Sequence, residues 1–183
     1  MLSHRSLKPA LGFTLIELII AILIIGLVLS MSISSYITWI ENTKIRTVAS
    51  SIQSGLQIAR AEAVKRNAPV QFNFRTGGSW TVCLRPAAPG NCPLPDNATT
   101  IQSKEEMEGS SASVTVATTP GVNRVVFNNL GQREAANSFA RVDIDNTAID
   151  TAESRNLRVT IGVGGNTRMC DPAFNYATDP KGC

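Results

Sequence analysis

The chain has 183 residues, of which 43% are hydrophobic and 17% are charged, a composition that fits a folded domain and excludes a largely disordered protein. Arg5 and Lys8 precede Gly12, so the rest of the chain carries 15 basic and 14 acidic side chains, which excludes an affinity of the whole surface for nucleic acid. The single histidine, His4, also precedes Gly12. The absence of histidine after Gly12 excludes histidine-based catalysis and most zinc sites from that part of the chain. We therefore predict no catalytic residue, no metal site and no cofactor.

The first elements are a short basic segment and a long apolar one. Residues 1–10 are polar and basic, and residues 11–31 are almost wholly apolar, which is about the 20 residues that a bilayer requires. No small-residue cleavage site follows, so this is not an ordinary secretory signal. We predict a transmembrane helix over residues 13–33. Glu17 lies within it, although a carboxylate in hydrocarbon costs roughly 2.5–3.5 kcal/mol.

Helical periodicity continues beyond the apolar segment. Apolar residues recur at three- and four-residue spacing, at Ile33, Tyr36, Ile37, Ile40, Val48, Ile52, Leu56, Ala59 and Ala63. Because no proline follows Phe13 before Pro69, we predict one helix over residues 13–66. Six charged residues in its second half are expected to face solvent: Glu41, Lys44, Arg46, Arg60, Glu62 and Lys65.

Residues 67–183 alternate polar and apolar side chains over short stretches, as β-strands do. Strands are predicted within residues 70–74, 80–84, 112–118, 125–127, 139–145 and 156–165, and in the last of these Leu157, Val159, Ile161 and Val163 share one face. Residues 86–97 and 146–155 look like linkers, and residues 168–183 are predicted to form a loop. The expected fold class is α+β, with the second half of the helix packed on an antiparallel sheet of a β-rich head.

Four cysteines follow the apolar segment, none of them in a C-x-x-C pair: Cys83, Cys92, Cys170 and Cys183. An even number behind a membrane-directed segment favours an oxidising compartment and two disulfides. Three pairings are possible. The local pairing, Cys83–Cys92 and Cys170–Cys183, closes two short loops and is favoured, and the alternative is four free, buried thiols.

The string "GFTLIE" that begins at Gly12 resembles the processing site of type IV pilins. The resemblance implies that a prepilin peptidase removes residues 1–12 as a leader on the cytoplasmic side, and that the new amine of Phe13 is methylated. Glu17 is one helical turn from Phe13, so it can pair with the amine of a neighbouring subunit or with its own, and pairing between subunits would fix their register. The alternatives are a tolerated glutamate near the membrane interface and a tilted interfacial helix.

Three further stretches narrow the resemblance: "LQIARAEAVKRNAPVQF", "VVFNNLGQRE" and "RVTIGVGGNTRMCDP". They are similar to minor pilins of the FimT/FimU type and to GspH-like pseudopilins. The resemblance implies a bacterial inner-membrane protein with one transmembrane pass and a periplasmic head, which later joins a surface pilus. Its implied partners are other minor and major pilins, the inner-membrane assembly platform and the prepilin peptidase.

The resemblance also leaves two other functions open. One is that of a minor pseudopilin in a type II secretion system. The other is weak DNA binding in natural transformation, since FimT-like pilins bind DNA through a G-R-x-R motif. The matching residues, 165–168, retain only the second arginine of that motif, because Asn166 replaces the first. The basic residues of this predicted patch are Arg155, Arg158, Arg168 and Lys181. The alternative is that Arg168 orders the C-terminal loop, by pairing with Asp171 or by capping backbone carbonyls.

Overall fold

Helix α1, Leu15–Arg66, is followed by eight β-strands in the computed structural model, which describes residues 12–75, 78–87, 90–93, 97–105 and 113–183, with residues 29–34 described by their backbone alone. The chain divides into two compact units, residues 1–37 and 38–183. Helix α1 contributes residues 15–37 to the first unit and residues 38–66 to the second. The predicted long helix is thereby confirmed, whereas the predicted leader lies outside the described residues except for Gly12.

The strands of the second unit form two antiparallel sheets in the described part of the chain. They are β1 Val70–Phe74, β2 Trp80–Leu84, β3 Thr100–Lys104, β4 Val114–Thr119, β5 Arg124–Phe127, β6 Arg141–Asn146, β7 Leu157–Ile161 and β8 Thr167–Cys170. Sheet A has the order β3-β2-β1-β5, and sheet B has the order β4-β6-β7-β8. The predicted α+β class is confirmed, with the strands divided between two sheets.

The core of the second unit lies between α1 and the two sheets. One stripe of α1 is fully buried at helical spacing, and it consists of Ile45, Val48, Ala49, Ile52, Leu56, Ala59 and Ala63. The sheets contribute aliphatic and aromatic residues to the same cluster, the largest of them Phe72, Phe127 and Phe139. From Val48 to Ala63, the apolar stripe that the sequence predicts is therefore the face that α1 packs on the sheets, whereas Tyr36 and Ile37 of the predicted stripe are exposed.

A glycine sets how closely α1 approaches sheet A. A Cβ atom added to Gly55 would lie 2.8 Å from Phe72 and 3.0 Å from Trp80. These two rings are stacked, with centroids 5.6 Å apart. The indole Nε1 of Trp80 donates a hydrogen bond of 2.9 Å to the hydroxyl of Ser51, one turn before the glycine. The absence of a Cβ atom at Gly55 thus makes room for the two aromatic rings, and the Ser51 hydroxyl satisfies the buried indole N–H of Trp80.

Three strands, β3, β7 and β8, differ from the sequence-based prediction. The tail was expected to form a loop, but Thr167–Cys170 is strand β8 and pairs with β7. The predicted strand 156–165 ends at Ile161, because a turn follows in which Gly165 has φ +77° and the Gly162 N–H bonds the Asn166 carbonyl. Val163 lies in that turn and is 75% exposed, so the prediction that it shares the buried face is wrong. Strand β3 lies in a stretch for which the sequence predicted no element.

The prediction that Glu41 faces solvent is wrong, because the residue is only 8% exposed. It accepts hydrogen bonds from the Lys44 ammonium (2.6 Å), the Ser113 hydroxyl (2.8 Å) and the Asn146 amide (2.8 Å). These donors lower the pKa of Glu41 below its usual value, first the hydrogen bond from Lys44 and then that from Asn146, although burial opposes them. Glu41 therefore joins α1 to the end of sheet B as a carboxylate.

The second predicted linker, residues 146–155, packs against α1. The Asn42 amide donates to the Glu153 carbonyl (3.0 Å) and accepts from the Arg155 backbone N–H (2.7 Å). The Thr38 hydroxyl donates to the Glu153 carboxylate at 3.0 Å. This segment is therefore an ordered part of the second unit. Of the first predicted linker, residues 88–89 and 94–96 lie outside the described residues.

All four cysteines are paired in disulfides. Cys83 is bonded to Cys92 across a sequence separation of 9, and Cys170 is bonded to Cys183 across a separation of 13. These are the two local pairings that the sequence favoured. The second bond returns the C-terminal tail to the end of β8, where Asp171 and Gly182 form a bridge.

Candidate functional site

The predicted processing and assembly residues lie at the start of the described chain. Gly12 and Phe13 precede α1, and Phe13 is 85% exposed. The Thr14 hydroxyl accepts a hydrogen bond of 3.3 Å from the Glu17 backbone N–H, as the side chain of an N-cap residue does. Glu17 therefore lies in the first turn of α1, where a carboxylate also complements the helix dipole. Its side chain is exposed.

The helix of the first unit presents an apolar surface around Glu17. The exposed apolar side chains are Leu15, Ile16, Leu18, Ile19, Ile20, Ile22, Leu23, Ile24, Ile25, Leu27 and Val28. An exposed apolar area of this extent marks a surface that contacts protein or lipid. In the described part of the chain, no helix is sufficiently long and apolar to cross a membrane. The predicted transmembrane segment, residues 13–33, ends in residues whose side chains lie outside the description.

The predicted DNA-binding residue Arg158 lies on β7 beside an acidic partner. Its Nε is 2.5 Å from Oδ1 of Asp143 on the neighbouring strand β6. The other oxygen of the same carboxylate lies 3.0 Å from Nε of Arg141. Asp143 thus neutralises part of the charge that Arg158 would offer to a phosphate.

Arg168 on β8 contacts the C-terminal tail. Its Nη2 donates to the carbonyl oxygens of Pro180 (3.0 Å) and Gly182 (2.8 Å), and its guanidinium lies 4.1 Å from the centroid of the Tyr176 ring. This is the carbonyl-capping arrangement that the sequence offered as the alternative role of Arg168. Lys181 lies between the two capped carbonyls, and its side chain is exposed.

The strand register brings the predicted basic residues to one face of sheet B. Arg158 and Thr160 share a face of β7 because they are two residues apart, and Thr160 lies opposite both Arg141 and Arg168. This face therefore carries three arginines and two aspartates, since Asp143 and Asp145 alternate with buried residues of β6 in the same way as Arg141. Arg141 is not among the basic residues of the predicted patch, and only the register of β6 against β7 places it with Arg158 and Arg168. Arg155 lies in the segment that packs against α1.

No group of three histidine, cysteine, aspartate or glutamate residues that would hold a metal ion occurs in the part of the chain that the structure describes. The residues that sequence reasoning missed are Ser113 and Asn146, which bind Glu41. Both are short polar residues beside or at the end of a strand, Ser113 just before β4 and Asn146 at the end of β6. No local pattern indicates that they contact a helical residue 72 or 105 positions earlier.

Two family models match the chain. The model described as "Type II transport protein GspH" matches residues 48–165, and that described as "Prokaryotic N-terminal methylation motif" matches residues 7–33. The first match covers more than half of the chain and includes the buried stripe of α1 from Val48 onward and the strands up to the turn after β7. The second includes Gly12, Phe13 and Glu17, and such a motif implies a membrane-anchored N-terminus.

Solved structures with the same fold are crystal structures of the type IV minor pilin FimU of Pseudomonas aeruginosa strain PAO1. One crystal form gives a TM-score of 0.56 at 14% identity, covering 74% of this chain and 95% of FimU. A second form gives 0.52 at 13% identity, covering 70% and 94% respectively. No curated protein matches the chain. The chain therefore belongs to the GspH family of pilin-type structural proteins, carries the N-terminal methylation motif and has the fold of a type IV minor pilin.

Proposed function

We propose that this protein is a minor subunit of a type IV pilus that helps to prime assembly or forms the tip of the filament. The observation that carries the proposal is the arrangement at the N-terminus. Glu17 is the one acidic residue between Phe13 and Ile40, and it lies within the exposed apolar surface, one helical turn after Phe13. Burying that surface against other subunits is favourable by about 25 cal/mol per Å².

The proposed chemistry begins with removal of residues 1–12 by a prepilin peptidase. The reaction leaves a positively charged amine on Phe13. In the bilayer or filament core, the Glu17 carboxylate of one subunit pairs with this amine of another. The pairing offsets part of the desolvation cost of both charges, and it fixes the axial register, which apolar contacts alone leave undetermined. The head, residues 67–183 with the second half of α1, remains in the periplasm until assembly.

The test is to compare three variants of Glu17 in cells. Glu17→Ala and Glu17→Gln both remove the charge, whereas Glu17→Asp retains it on a shorter side chain. We expect the first two proteins to accumulate in the membrane fraction and to be lost from sheared pili, and the third to be incorporated in part. The Leu18→Ala variant, altered at the neighbouring apolar position, serves as the control and is expected in pili. Glu17→Ala at normal levels in sheared pili would show that the pairing is unnecessary.

A second proposal is weak DNA binding by the arginine face of sheet B. It is supported by the register that brings Arg141, Arg158 and Arg168 together. Phosphate contacts require clustered cations, and Asp143 together with the contacts of Arg168 reduces the charge available. We therefore rank this function below assembly. Lys181, exposed beside Arg168, would add to the patch.

A place in a type II secretion pseudopilus is the remaining alternative. It uses the same N-terminal chemistry, so Glu17 variants do not separate it from a pilus. Deleting the gene and scoring surface pili, twitching motility, transformation and protein secretion together does separate them. Loss of pili supports the primary proposal, loss of transformation alone supports DNA binding, and loss of secretion alone supports the pseudopilus.

A further inference from the structure

Trp39 is a large aromatic side chain that lies outside the core of the second unit. It is 64% exposed, whereas the other tryptophan of the chain, Trp80, is 3% exposed and donates its indole N–H to Ser51. An indole ring gains much free energy from burial, and its N–H requires a polar partner. An exposed tryptophan therefore suits surroundings that are apolar on one side and wet on the other.

The helix face that carries Trp39 changes from apolar to polar at this residue. Positions four, seven, eight and eleven residues later share its face of a helix. These positions are all exposed, and they are Thr43, Arg46, Thr47 and Ser50. The apolar residues of α1 that follow Trp39 most closely on the core side, Ile45, Val48 and Ala49, are buried. A face that packs against another helix would stay apolar at this spacing, and this one does not.

The head limits how far hydrocarbon can extend along α1. The Thr38 hydroxyl donates to the Glu153 carboxylate at 3.0 Å, and the Asn42 amide donates to the Glu153 carbonyl at 3.0 Å. Glu153 is exposed, and a carboxylate is costly to place in hydrocarbon. The hydrocarbon must therefore end before Thr38. Trp39 lies between these two helix residues in the sequence, beside the polar edge of the head.

The length of the predicted membrane segment gives a limit from the other side. The segment ends at residue 33, and the six residues from there to Trp39 rise about 9 Å in a helix. The head-group layer on each side of the hydrocarbon is roughly 5–8 Å thick. Helical side chains tilt toward the N-terminus of their helix, which brings the indole ring back toward the segment. Both limits place the ring in the head-group layer.

We propose that, before assembly, Trp39 lies in the lipid head-group layer at the periplasmic surface of the inner membrane and holds the head against that surface. The partner is a phospholipid bilayer, because the N-terminal methylation motif matches residues up to 33 and implies a membrane-anchored N-terminus. The indole ring contacts the upper chain carbons, and its N–H bonds ester carbonyls or water, as in the aromatic belts of membrane proteins. The inference goes beyond the proposed function and rests on its membrane segment, residues 13–33, but not on the Glu17 pairing.

A neighbouring subunit is the less suitable partner for this face. Arg46 is exposed on it, seven residues after Trp39. Burying that charge against another subunit would require an acidic partner, whereas at a membrane surface the guanidinium faces water and phosphates. The polar face beyond Trp39 therefore favours lipid.

The test measures the depth of Trp39 in phosphatidylcholine–phosphatidylglycerol vesicles that hold the full-length protein. Bromine quenches indole fluorescence at short range, so separate vesicles carry bromine on the upper or on the terminal carbons of the lipid chains. We expect the upper bromines to quench about twice as strongly as the terminal ones, because the ring lies in the head-group layer. Trp80 is buried in the head and should remain unquenched as an internal reference.

Three variants turn the measurement into a depth scale. Trp39→Phe leaves Trp80 as the one tryptophan and should lose all quenching by bromine. In that background, Val28→Trp and Ser50→Trp move the indole eleven residues back or forward on the same face, about 16 Å each way. The indole at position 28 should be quenched most by terminal bromines. The indole at position 50 should be quenched by aqueous iodide and by neither lipid. Near-ultraviolet circular dichroism checks that each head is folded.

Four results would overturn the proposal. Stronger quenching of Trp39 by terminal bromines would place it in hydrocarbon, and quenching by iodide alone would place it in water. Quenching by lipid that disappears as the protein-to-lipid ratio rises from a very low value would assign the face to a second copy. Protein that does not float with the vesicles would remove the membrane segment itself.

Failure of the proposed pairing gives a different result. Glu17→Ala at normal levels in sheared pili would contradict that pairing, while the depth of Trp39 in vesicles would stay the same. We expect Glu17→Gln to leave the bromine quenching of Trp39 unchanged, because the contact with lipid is made by a single subunit before assembly.

Discussion

The contacts of Glu41 predict a large and pH-dependent loss of stability when this residue is replaced. Glu41 is buried against sheet B and accepts three hydrogen bonds, from Lys44, Ser113 and Asn146. Glu41→Ala leaves the Asn146 amide, which is 3% exposed, without its charged acceptor. Glu41→Gln keeps the shape and one acceptor oxygen but loses the charge.

The expected magnitude follows from which of these contacts are buried. A hydrogen bond to a charged group contributes about 1.5–3 kcal/mol, and the bond from Asn146 retains most of this value because water does not reach it. The Lys44 side chain is 34% exposed, so its pairing contributes roughly 1 kcal/mol or less. We expect Glu41→Ala to lower the free energy of unfolding by about 3 kcal/mol at pH 7, and Glu41→Gln by about half of that.

The pH dependence has a definite sign. The pKa of Glu41 is lowered in the folded state from a reference value of 4.5, so the folded protein binds fewer protons than the unfolded chain as the pH falls below that value. The stabilisation is fully present above the reference pKa and is lost as the pH falls through the folded pKa. The difference in stability between the parent and Glu41→Gln should therefore shrink below about pH 4.5.

The assay is urea unfolding of the full-length protein in detergent micelles at pH 7 and at pH 3.5, followed by near-ultraviolet circular dichroism. Glu62→Gln is the matched control. Glu62 lies on the same helix, is also paired with the lysine three residues later and has a lowered pKa, caused first by Arg66 and then by Lys65. Its partners are exposed, so we expect little change at either pH. The two glutamate side chains are similarly exposed, 11% and 16%, and Glu41 differs in having the buried Asn146 as a partner. Equal effects of the two variants would therefore refute the reasoning.

Three further predictions concern the C-terminal half. Replacing Cys170 and Cys183 together by serine opens a loop with a sequence separation of 13 and should cost about 3 kcal/mol in urea unfolding; an unchanged midpoint would contradict this. Gly165→Ala places a Cβ atom 2.0 Å from a backbone oxygen at φ +77° and should lower the thermal midpoint by several degrees, whereas Gly164→Ala, which has room, should not. Arg168→Gln should reduce the salt dependence of DNA binding by about one released counterion in gel shifts, and binding equal to that of the parent would remove this residue from the site.

The sequence predicts those parts of the fold that have a strong period. Apolar residues that recur at helical spacing from Val48 to Ala63 identify the buried stripe of α1. No proline interrupts the helix in this stretch. Two-residue alternation identifies β1 and β2 in the same way. In these segments, local preference and tertiary packing agree, so the pattern alone is sufficient.

The parts that the sequence does not predict depend on contacts between distant residues. Strand β8 has four residues, Thr167–Cys170, and its strand conformation comes from pairing with β7 and from the disulfide to Cys183. Glu41 looks like a solvent-facing residue of an amphipathic helix, and only the fold brings Ser113, before β4, and Asn146, at the end of β6, into contact with it. Secondary-structure propensity cannot predict such contacts, because they join residues that are distant in the sequence.

Two glutamates on α1, Glu17 and Glu41, act by different physical means, and this makes their roles experimentally separable. The apolar surface around Glu17 gains free energy in proportion to the area buried and has no preferred register, so a single ion pair with Phe13 must supply the alignment. Glu41 is held within one subunit by hydrogen bonds from Lys44, Ser113 and Asn146. Because the two residues lie in different units of the chain, Glu17→Gln should abolish assembly without changing the urea midpoint, and Glu41→Gln should lower the midpoint without preventing the Glu17 pairing. Loss of both assembly and stability in either single variant would mean that one site depends on the other.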